Sequence, residues 1–204
     1  MLLATFESLA VDAVDAEAEA LAASLRQGGY VVFIPHTQSR RVDAAEFVSP
    51  PGCPSGTRLS AQGWRDAKAA GIGLIKQGVR VEVAYTSPVC AARHTGYLLF
   101  GADKVRLDEA LAIDCTADVP ASNRYVARLT QRLSKAPPYA GFNLAIVGHV
   151  CGLAPITLPD QPSCAQALKS GDVIVFKPAG MGYQLVGCIA FTTLEAWSRR
   201  DDLP

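Results

Sequence analysis

The sequence has no excess of either charge and no cluster of basic residues. Its 204 residues include 19 basic and 19 acidic side chains, so the formal net charge is zero. Proteins that bind nucleic acid or an anionic membrane surface usually present a positive field, and this chain offers none, either overall or within one segment. We therefore expect a small-molecule substrate, and we expect neither nucleic acid nor a membrane as a partner.

The sequence also has no apolar run that approaches the length of a membrane span. Residues 1–9 contain neither a basic region nor a sustained apolar stretch, and four acidic residues follow between positions 12 and 19. A secretory signal peptide needs both of those missing features. These absences predict a cytoplasmic protein.

Cysteine motifs are absent as well. The six cysteines are widely spaced and form no C-x-x-C pattern, the usual arrangement of paired metal ligands or redox thiols. In a reducing compartment such cysteines are mostly free thiols, and this is our expectation for them. Half of the chain is hydrophobic, which suffices for one substantial core. We therefore predict a single domain over residues 1–204, with a helical extension at 1–27 and the core at 28–190.

Helical and strand patterns alternate along the chain. Apolar residues recur at helical spacing before Gly28 and Gly29, and the apolar run that follows is typical of a buried strand. Such alternation predicts a three-layer α/β/α sandwich with a mostly parallel central sheet. The predicted helices lie at 14–28, 60–78, 87–101, 122–136 and 151–157, the predicted strands lie at 30–34, 80–85, 104–107, 144–148, 173–176 and 183–186, and a long loop covers 38–58.

Histidine is scarce, and two of the three histidines follow predicted strands. His36 comes directly after the apolar run that ends at Ile34 and Pro35, and His149 closes the run at 144–148. The carboxyl ends of strands in an open α/β sheet border the crevice where ligands bind. We therefore predict that His36 and His149 lie in that crevice, while a hydrogen-bonded structural histidine is the alternative for each.

Four short segments, taken in order, resemble the signatures of the histidine phosphatase superfamily. They are the strand that leads to His36, Leu-Ser-Ala-Gln-Gly at 59–63, Thr-Ser-Pro-Val-Cys-Ala-Ala-Arg-His-Thr at 86–95, and Val-Gly-His at 147–149. The resemblance covers roughly residues 25–190 and implies the phosphoglycerate mutase-like fold. It also implies that His36 takes the place of the nucleophile, which forms a phosphohistidine, and that His149 takes the place of the second pocket histidine.

The resemblance fails at the residues that bind phosphate in this family. Pro35 stands where the family has the arginine before its histidine, and Ala91 stands where it has the second pocket arginine. Gly152 and Ala154 stand where some branches have an asparagine and a glutamate. Removing one preorganised oxyanion donor costs about 2.7–4 kcal/mol, so losing two predicts phosphoryl transfer about 10⁴- to 10⁶-fold slower unless other residues compensate.

Several other residues near the predicted pocket could complete it. Arg40 and Arg41 follow His36 closely and Arg58 ends the long loop, so these arginines could replace the missing ones; solvated surface arginines are the alternative. Cys90 lies at the start of the pocket helix, where we favour a packed thiol over a reactive one. The candidate substrate-binding residues are Thr37, Arg40, Arg41, Arg58, Cys90, Ala91, His94 and Cys151.

A metal site is a further alternative at the same place. His94 lies one helical turn after Ala91, so His36, His94 and His149 could border one cleft, with Cys151 nearby. We favour a solvent-exposed His94, because members of the family usually carry a polar surface residue at this helix position. We therefore expect no metal and no other cofactor.

Three functions remain open from the sequence. The first is an enzyme of this fold that uses His36 and His149 as an acid/base pair on a small metabolite. The second is a phosphohydrolase that acts through a phosphohistidine at His36 with replacement arginines. The third is a pseudophosphatase without activity that serves as a binding protein. Asp108, Glu109 and Asp114 are the acidic candidates for a proton donor. A homodimer is also compatible with the sequence, although no motif indicates one.

Overall fold

The computed structural model describes residues 16–42, 56–113, 115, 122–154, 156 and 168–201, which form a central sheet with helices on both faces. The longer helices are α1 (16–27), α2 (Ala61–Lys76), α3 (Cys90–Phe100), α4 (Asn123–Leu133) and α5 (Phe191–Arg199). Short 3₁₀ helices occupy Glu109–Leu111 and Val150–Leu153. The strands are β1 (Val31–Pro35), β2 (Ser39–Val42), β3 (Gly56–Leu59), β4 (Val81–Thr86), β5 (Val105–Leu107), β6 (Asn143–Gly148), β7 (Val173–Ala179) and β8 (Gly182–Ile189).

The central sheet has the strand order β5-β4-β6-β1-β7-β8. β5, β4, β6 and β1 run parallel, whereas β7 is antiparallel to β1 and β8 is antiparallel to β7. Parallel neighbours need long crossover connections, which helices provide here. The structure thus confirms the predicted sandwich with its mostly parallel sheet, and β7 and β8 form a hairpin.

β1 lies in the interior of the sheet, and its alternate side chains enter two separate cores. Val32 and Ile34 pack with α1, α2 and α5 on one face, whereas Val31 and Phe33 pack with α4 on the other. All four side chains are at most 1% exposed. The segment that follows β1, which carries His36, therefore begins from a rigid support.

α1 packs on the same core as β1 and α5. Its residues Ala18, Leu21 and Leu25 are buried in that core. Gly28 ends the helix with φ of 78°, and a Cβ at this position would lie 2.5 Å from the carbonyl carbon of Gly141. None of the described helices combines the length and the apolar character that a bilayer span requires.

Helix starts depend on local hydrogen bonds. Ser60 accepts a hydrogen bond from the Gly63 amide and caps α2. Ser122 caps α4 in the same way. α3 begins at Cys90 rather than at Ser87, because the Ser87 amide still donates to the Val147 carbonyl and holds the chain against β6.

The predicted loop at 38–58 contains regular structure. β2 and β3 pair antiparallel as a separate two-stranded sheet, with Arg40 opposite Arg58 and Arg41 opposite Thr57; residues 43–55 lie outside the described part. Both strands are four residues long and largely polar, so apolar alternation could not reveal them. The sequence prediction also omits α5, and it predicts an ordinary helix where the 3₁₀ helix follows β6.

The cysteines of the described residues are oxidised. Cys115 and Cys151 form a disulfide, and Cys90 and Cys188 are each disulfide-bonded as well. The prediction of free thiols is therefore wrong. Widely spaced cysteines carry no local motif, and only the fold brings Cys115 and Cys151 together, with their Cα atoms 5.7 Å apart.

Candidate functional site

A cavity of about 770 Å³ opens where β1, β4 and β6 end. These strands lie side by side, and their register places Pro35 next to Gly148 and Thr86 next to Val147. The residues that follow the three strands therefore leave the sheet at one place, which is the position where open α/β sheets bind ligands.

The two histidines predicted as catalytic meet in this cavity. His36 and His149 both line it, and their ring centroids are 5.2 Å apart with an interplanar angle of 85°. The His36 amide donates a hydrogen bond to the Gly148 carbonyl at 2.9 Å. The strand ends thus hold the two rings as neighbours.

The protonation of His36 follows from a backbone contact. Its Nδ1 lies 2.9 Å from the Thr37 carbonyl oxygen, which can only accept, so Nδ1 carries the hydrogen and donates it. Nε2 of the neutral ring then holds the lone pair. Burial of the ring lowers the pKa of His36, while the hydrogen bond to Thr37 opposes that shift. His36 is consequently a neutral base at neutral pH.

His149 is held by a buried serine. Its Nε2 lies 3.0 Å from Ser87 Oγ, and both residues are buried. The Val89 amide reaches the same hydroxyl at 3.4 Å, so Ser87 links the His149 ring to the turn before α3. Ser87 is a site residue that the sequence prediction omits, and its place directly after β4 was the available signal.

Two of the three candidate arginines line the cavity. Arg40 and Arg41 lie on β2, and both side chains are exposed. Arg58 lies opposite Arg40 on β3 but does not border the cavity. Burial, and then the charges of Arg93 and Arg58, lower the pKa of His94, so Arg58 is placed beside that histidine instead. Among the described residues, the positive charge at the cavity therefore comes from β2.

The remaining candidates shape the surroundings of the cavity. Thr37 and Ala91 are buried, with 1% and 0% of their surfaces exposed, and neither lines it. Cys90 does line it, but as half of a disulfide, so the interpretation as a packed free thiol is wrong. Cys151 is bonded to Cys115, which itself borders the cavity. Cys90 and Cys115 thus form part of the cavity wall, and none of the three cysteines offers a thiol to a ligand.

His94 lies outside the cavity. Its half-buried ring is 5.3 Å from the ring of Trp64 and 6.4 Å from that of Tyr97, measured between centroids. The structure therefore does not bring His94 together with His36 and His149. Nor do the described residues contain any cluster of three potential metal ligands.

The rest of the cavity lining is largely apolar, and its described part contains no carboxylate. The sequence prediction assigns a site role to none of these apolar residues, because no chemistry marks them before the fold brings them together. They are Pro88, Val89, Ala112, Ile113 and Val150.

The carboxylate of Asp108, one of the candidate proton donors, is engaged by a backbone amide and two arginines. Its carboxylate accepts hydrogen bonds from the Ala110 amide at 3.2 Å and from Arg132 at 2.8 Å, and Arg128 lies 3.4 Å away. These contacts join the first 3₁₀ helix to α4, so Asp108 has a structural role. Glu109 does not line the cavity either, and Asp114 lies outside the described residues.

Comparisons with known proteins bear on the fold. No family model and no curated protein matches the sequence. Among solved structures, a protein histidine phosphatase SixA complexed with tungstate aligns with a TM-score of 0.54 and 14% identity, over 81% of this chain and 99% of that one. An alpha-ribazole phosphatase from Shigella flexneri aligns with a TM-score of 0.53 and 15% identity, over 79% and 96%.

A phosphoserine phosphatase mutant from Entamoeba histolytica in complex with phosphoserine aligns with a TM-score of 0.50 and 12% identity, over 81% of this chain and 98% of that one. At such low identities these likenesses establish the fold alone. The chain has the phosphoglycerate mutase-like fold of the histidine phosphatase superfamily, as the four sequence segments implied.

Proposed function

We propose that this protein is a phosphohydrolase that cleaves a phosphate ester of a small molecule through a phosphohistidine at His36. The observation that carries the proposal is the position of Arg40 and Arg41, which line the same cavity as His36 and His149. Two guanidinium groups offer the positive charge that a phosphoryl group needs, in a chain whose positions 35 and 91 carry none. Phosphatases among the similar structures support the same reaction class.

The first step needs a neutral imidazole with an available lone pair. His36 meets this need, because its Nδ1 donates to the Thr37 carbonyl and leaves Nε2 unprotonated. In the proposed reaction Nε2 attacks phosphorus, the bond between phosphorus and the ester oxygen breaks, and the leaving oxygen takes a proton. We assign that proton to His149, which has to begin the cycle as an imidazolium, since no described lining residue is a carboxylate.

The second step regenerates the histidine. Water attacks the phosphohistidine, the bond between phosphorus and Nε2 breaks, and inorganic phosphate leaves. The proton that water loses returns to His149, which restores both rings to their starting states.

The two arginines differ from a preorganised phosphate clamp. Arg40 and Arg41 are exposed, so solvent screens their charges. A preorganised donor contributes about 2.7–4 kcal/mol to transition-state stabilisation. We therefore expect turnover well below that of an enzyme with both arginines in place.

A second function is favoured by the apolar part of the cavity. A neutral or weakly acidic metabolite could lie against Pro88, Val89 and Ile113 and exchange protons with His36 and His149, whose centroids are 5.2 Å apart. In that case the arginines of β2 would be solvated surface residues.

Turnover of para-nitrophenyl phosphate tests the first proposal. We expect slow hydrolysis by the wild-type protein and none by His36→Ala. A double variant, Arg40→Gln with Arg41→Gln, should lose about 10-fold in kcat/KM, less than the roughly 10²- to 10³-fold expected for the loss of one preorganised oxyanion donor. His94→Ala is the matched control, because this histidine lies outside the cavity and should leave turnover unchanged.

Hydrolysis that survives in His36→Ala would contradict the proposal. If wild-type protein hydrolyses no phosphate ester, thermal-shift measurements over metabolites without phosphate decide between the other functions. Stabilisation that disappears in His36→Ala would favour the acid/base enzyme, and stabilisation by no small molecule would favour the pseudophosphatase.

Location and assembly stay predictions. The cytoplasmic location expected from the sequence is opposed by the disulfide of Cys115 and Cys151, because disulfides persist mainly in oxidising compartments. The absence of nucleic-acid and membrane partners, the homodimer and the single domain over 1–204 likewise remain predictions.

A further inference from the structure

We propose that Thr95 is a positioning residue for His36: through the backbone of Thr37 it keeps the hydrogen of the His36 ring on Nδ1 and the lone pair on Nε2. The inference deepens the proposed function, because it concerns the same nucleophile. Its main test, however, measures the ring itself and needs no turnover.

A chain of hydrogen bonds joins Thr95 to His36. The His36 ring donates from Nδ1 to the Thr37 carbonyl at 2.9 Å. The Thr37 amide donates to Thr95 Oγ1 at 3.2 Å, and this hydroxyl donates in turn to the Ala91 carbonyl at 2.8 Å. Thr95 therefore uses its hydroxyl as acceptor and donor at once, which a valine of the same shape could not do.

The side chain of Thr37 fixes the same residue from the other direction. Its Oγ1 donates to the Gly63 carbonyl of α2 at 2.7 Å. This bond uses the only hydroxyl hydrogen of Thr37, and the hydroxyl hydrogen of Thr95 is bound to the Ala91 carbonyl. The two hydroxyl oxygens, 3.4 Å apart, are therefore in packing contact and do not share a hydrogen bond. α2 and α3 thus hold the amide and the side chain of one residue.

Close packing holds Thr37 and Thr95 rigidly in this arrangement. Thr37 is 1% exposed and Thr95 is 0% exposed, so water cannot replace either hydroxyl. Gly63 lets α2 approach the chain after His36, since a Cβ at this position would lie 1.9 Å from the Gln38 carbonyl oxygen. The carbonyl of Thr37 consequently has one orientation, with its oxygen toward Nδ1 of His36.

This arrangement matters because the tautomer decides which nitrogen can attack. With Nδ1 protonated, Nε2 is the nucleophilic atom. If Thr37 turned and its carbonyl left Nδ1, the ring could carry its hydrogen on Nε2, and that tautomer cannot attack phosphorus from Nε2. A hydroxyl on α3 that never touches a ligand would thereby control the reactive state of the nucleophile.

The test is the tautomer of His36, read from the ¹⁵N chemical shifts of its ring nitrogens at a pH where the ring is neutral. In the wild-type protein we expect a protonated Nδ1 and an unprotonated Nε2. In Thr95→Val we expect a population with Nε2 protonated, because the Thr37 amide has lost its acceptor. Thr95→Ser keeps the hydroxyl and should return the wild-type shifts.

Thr193→Val is the matched control. Thr193 is also a mostly buried threonine, but it lies on α5, and this variant should leave the His36 shifts unchanged. If para-nitrophenyl phosphate is hydrolysed, Thr95→Val should lower kcat by about 10- to 100-fold, the range for a slightly misplaced catalytic group, while KM changes little.

Several outcomes would overturn the inference. A wild-type ring with Nε2 protonated would do so without any variant, even if Thr95→Val fails to fold. Unchanged shifts in folded Thr95→Val, or equal changes in Thr193→Val, would do so as well. Failure of the proposed function is a separate result, since the expected shifts in a protein without phosphatase activity would leave the positioning role intact.

Discussion

Ser87 Oγ lies 3.0 Å from Nε2 of His149, and this contact joins the ends of the neighbouring strands β4 and β6 inside the site. In Ser87→Ala the buried ring loses this partner, and the loss of a buried hydrogen bond costs about 1–3 kcal/mol. We expect lower thermal stability together with slower hydrolysis of para-nitrophenyl phosphate. Ser24→Ala, at a half-buried serine of α1 far from the cavity lining, should change neither property; an unchanged rate in Ser87→Ala would mean that this contact is only structural.

The lowered pKa of His36 predicts the acid side of the activity profile. The proposed reaction needs the neutral ring, and burial holds the pKa of His36 below the ordinary value of 6.5. The acid limb of kcat/KM should therefore have its midpoint below 6.5. A midpoint at or above that value would contradict the role of neutral His36 as the nucleophile.

The same pKa also links His36 to stability. Because folding lowers this pKa, the unfolded chain binds the proton more readily, and the contribution of His36 is complete above pH 6.5. It is lost as the pH falls from there toward the folded pKa. Urea denaturation should show that the wild-type protein loses more stability on acidification than His36→Asn does.

Removal of the disulfide between Cys115 and Cys151 should destabilise the fold. The bond closes a loop with a sequence separation of 36, for which the chain-entropy model gives about 4 kcal/mol. Urea denaturation of the double variant Cys115→Ala with Cys151→Ala measures this loss. The wild-type protein in excess dithiothreitol should be less stable still, because Cys90 and Cys188 are also disulfide-bonded.

Asp108 and Glu195 provide a matched pair of ion-pair substitutions. Asp108 is 8% exposed and binds Arg132 at 2.8 Å, so Asp108→Asn should cost about 3 kcal/mol, as expected when a buried pair loses one charge. Glu195 pairs with Arg199 near the surface, and Glu195→Gln should cost at most about 1 kcal/mol. Equal free energies of unfolding for the two variants would contradict the structural role of Asp108.

The sequence contained enough to place the histidines but not their surroundings. His36 and His149 follow apolar runs, and a buried parallel strand produces that pattern directly. β2 and β3 are short and polar, so they produce no such pattern, and their pairing depends on contacts between residues far apart in the chain. The disulfide of Cys115 and Cys151 depends on the fold in the same way.

Neither the apolar residues of the cavity nor the role of Thr95 could be predicted from the sequence, for a related reason. Val89 and Ile113 are ordinary hydrophobic residues until β4, β6 and the first 3₁₀ helix bring them to one cavity. In the sequence, Thr95 cannot be told apart from any other threonine in a helix. Only its hydrogen bond from the Thr37 amide distinguishes it.

The proposed nucleophile, His36, and the two arginines of this site belong to different sheets. His36 follows β1, a strand of the central sheet that is buried on both faces, whereas Arg40 and Arg41 lie on the two-stranded sheet of β2 and β3. Substitutions on the small sheet touch little of the core, and most surface substitutions change stability by less than about 0.5 kcal/mol. The charge preference of the site could therefore be exchanged by mutation, in evolution or in the laboratory, while His36 and the strand that supports it stay as they are.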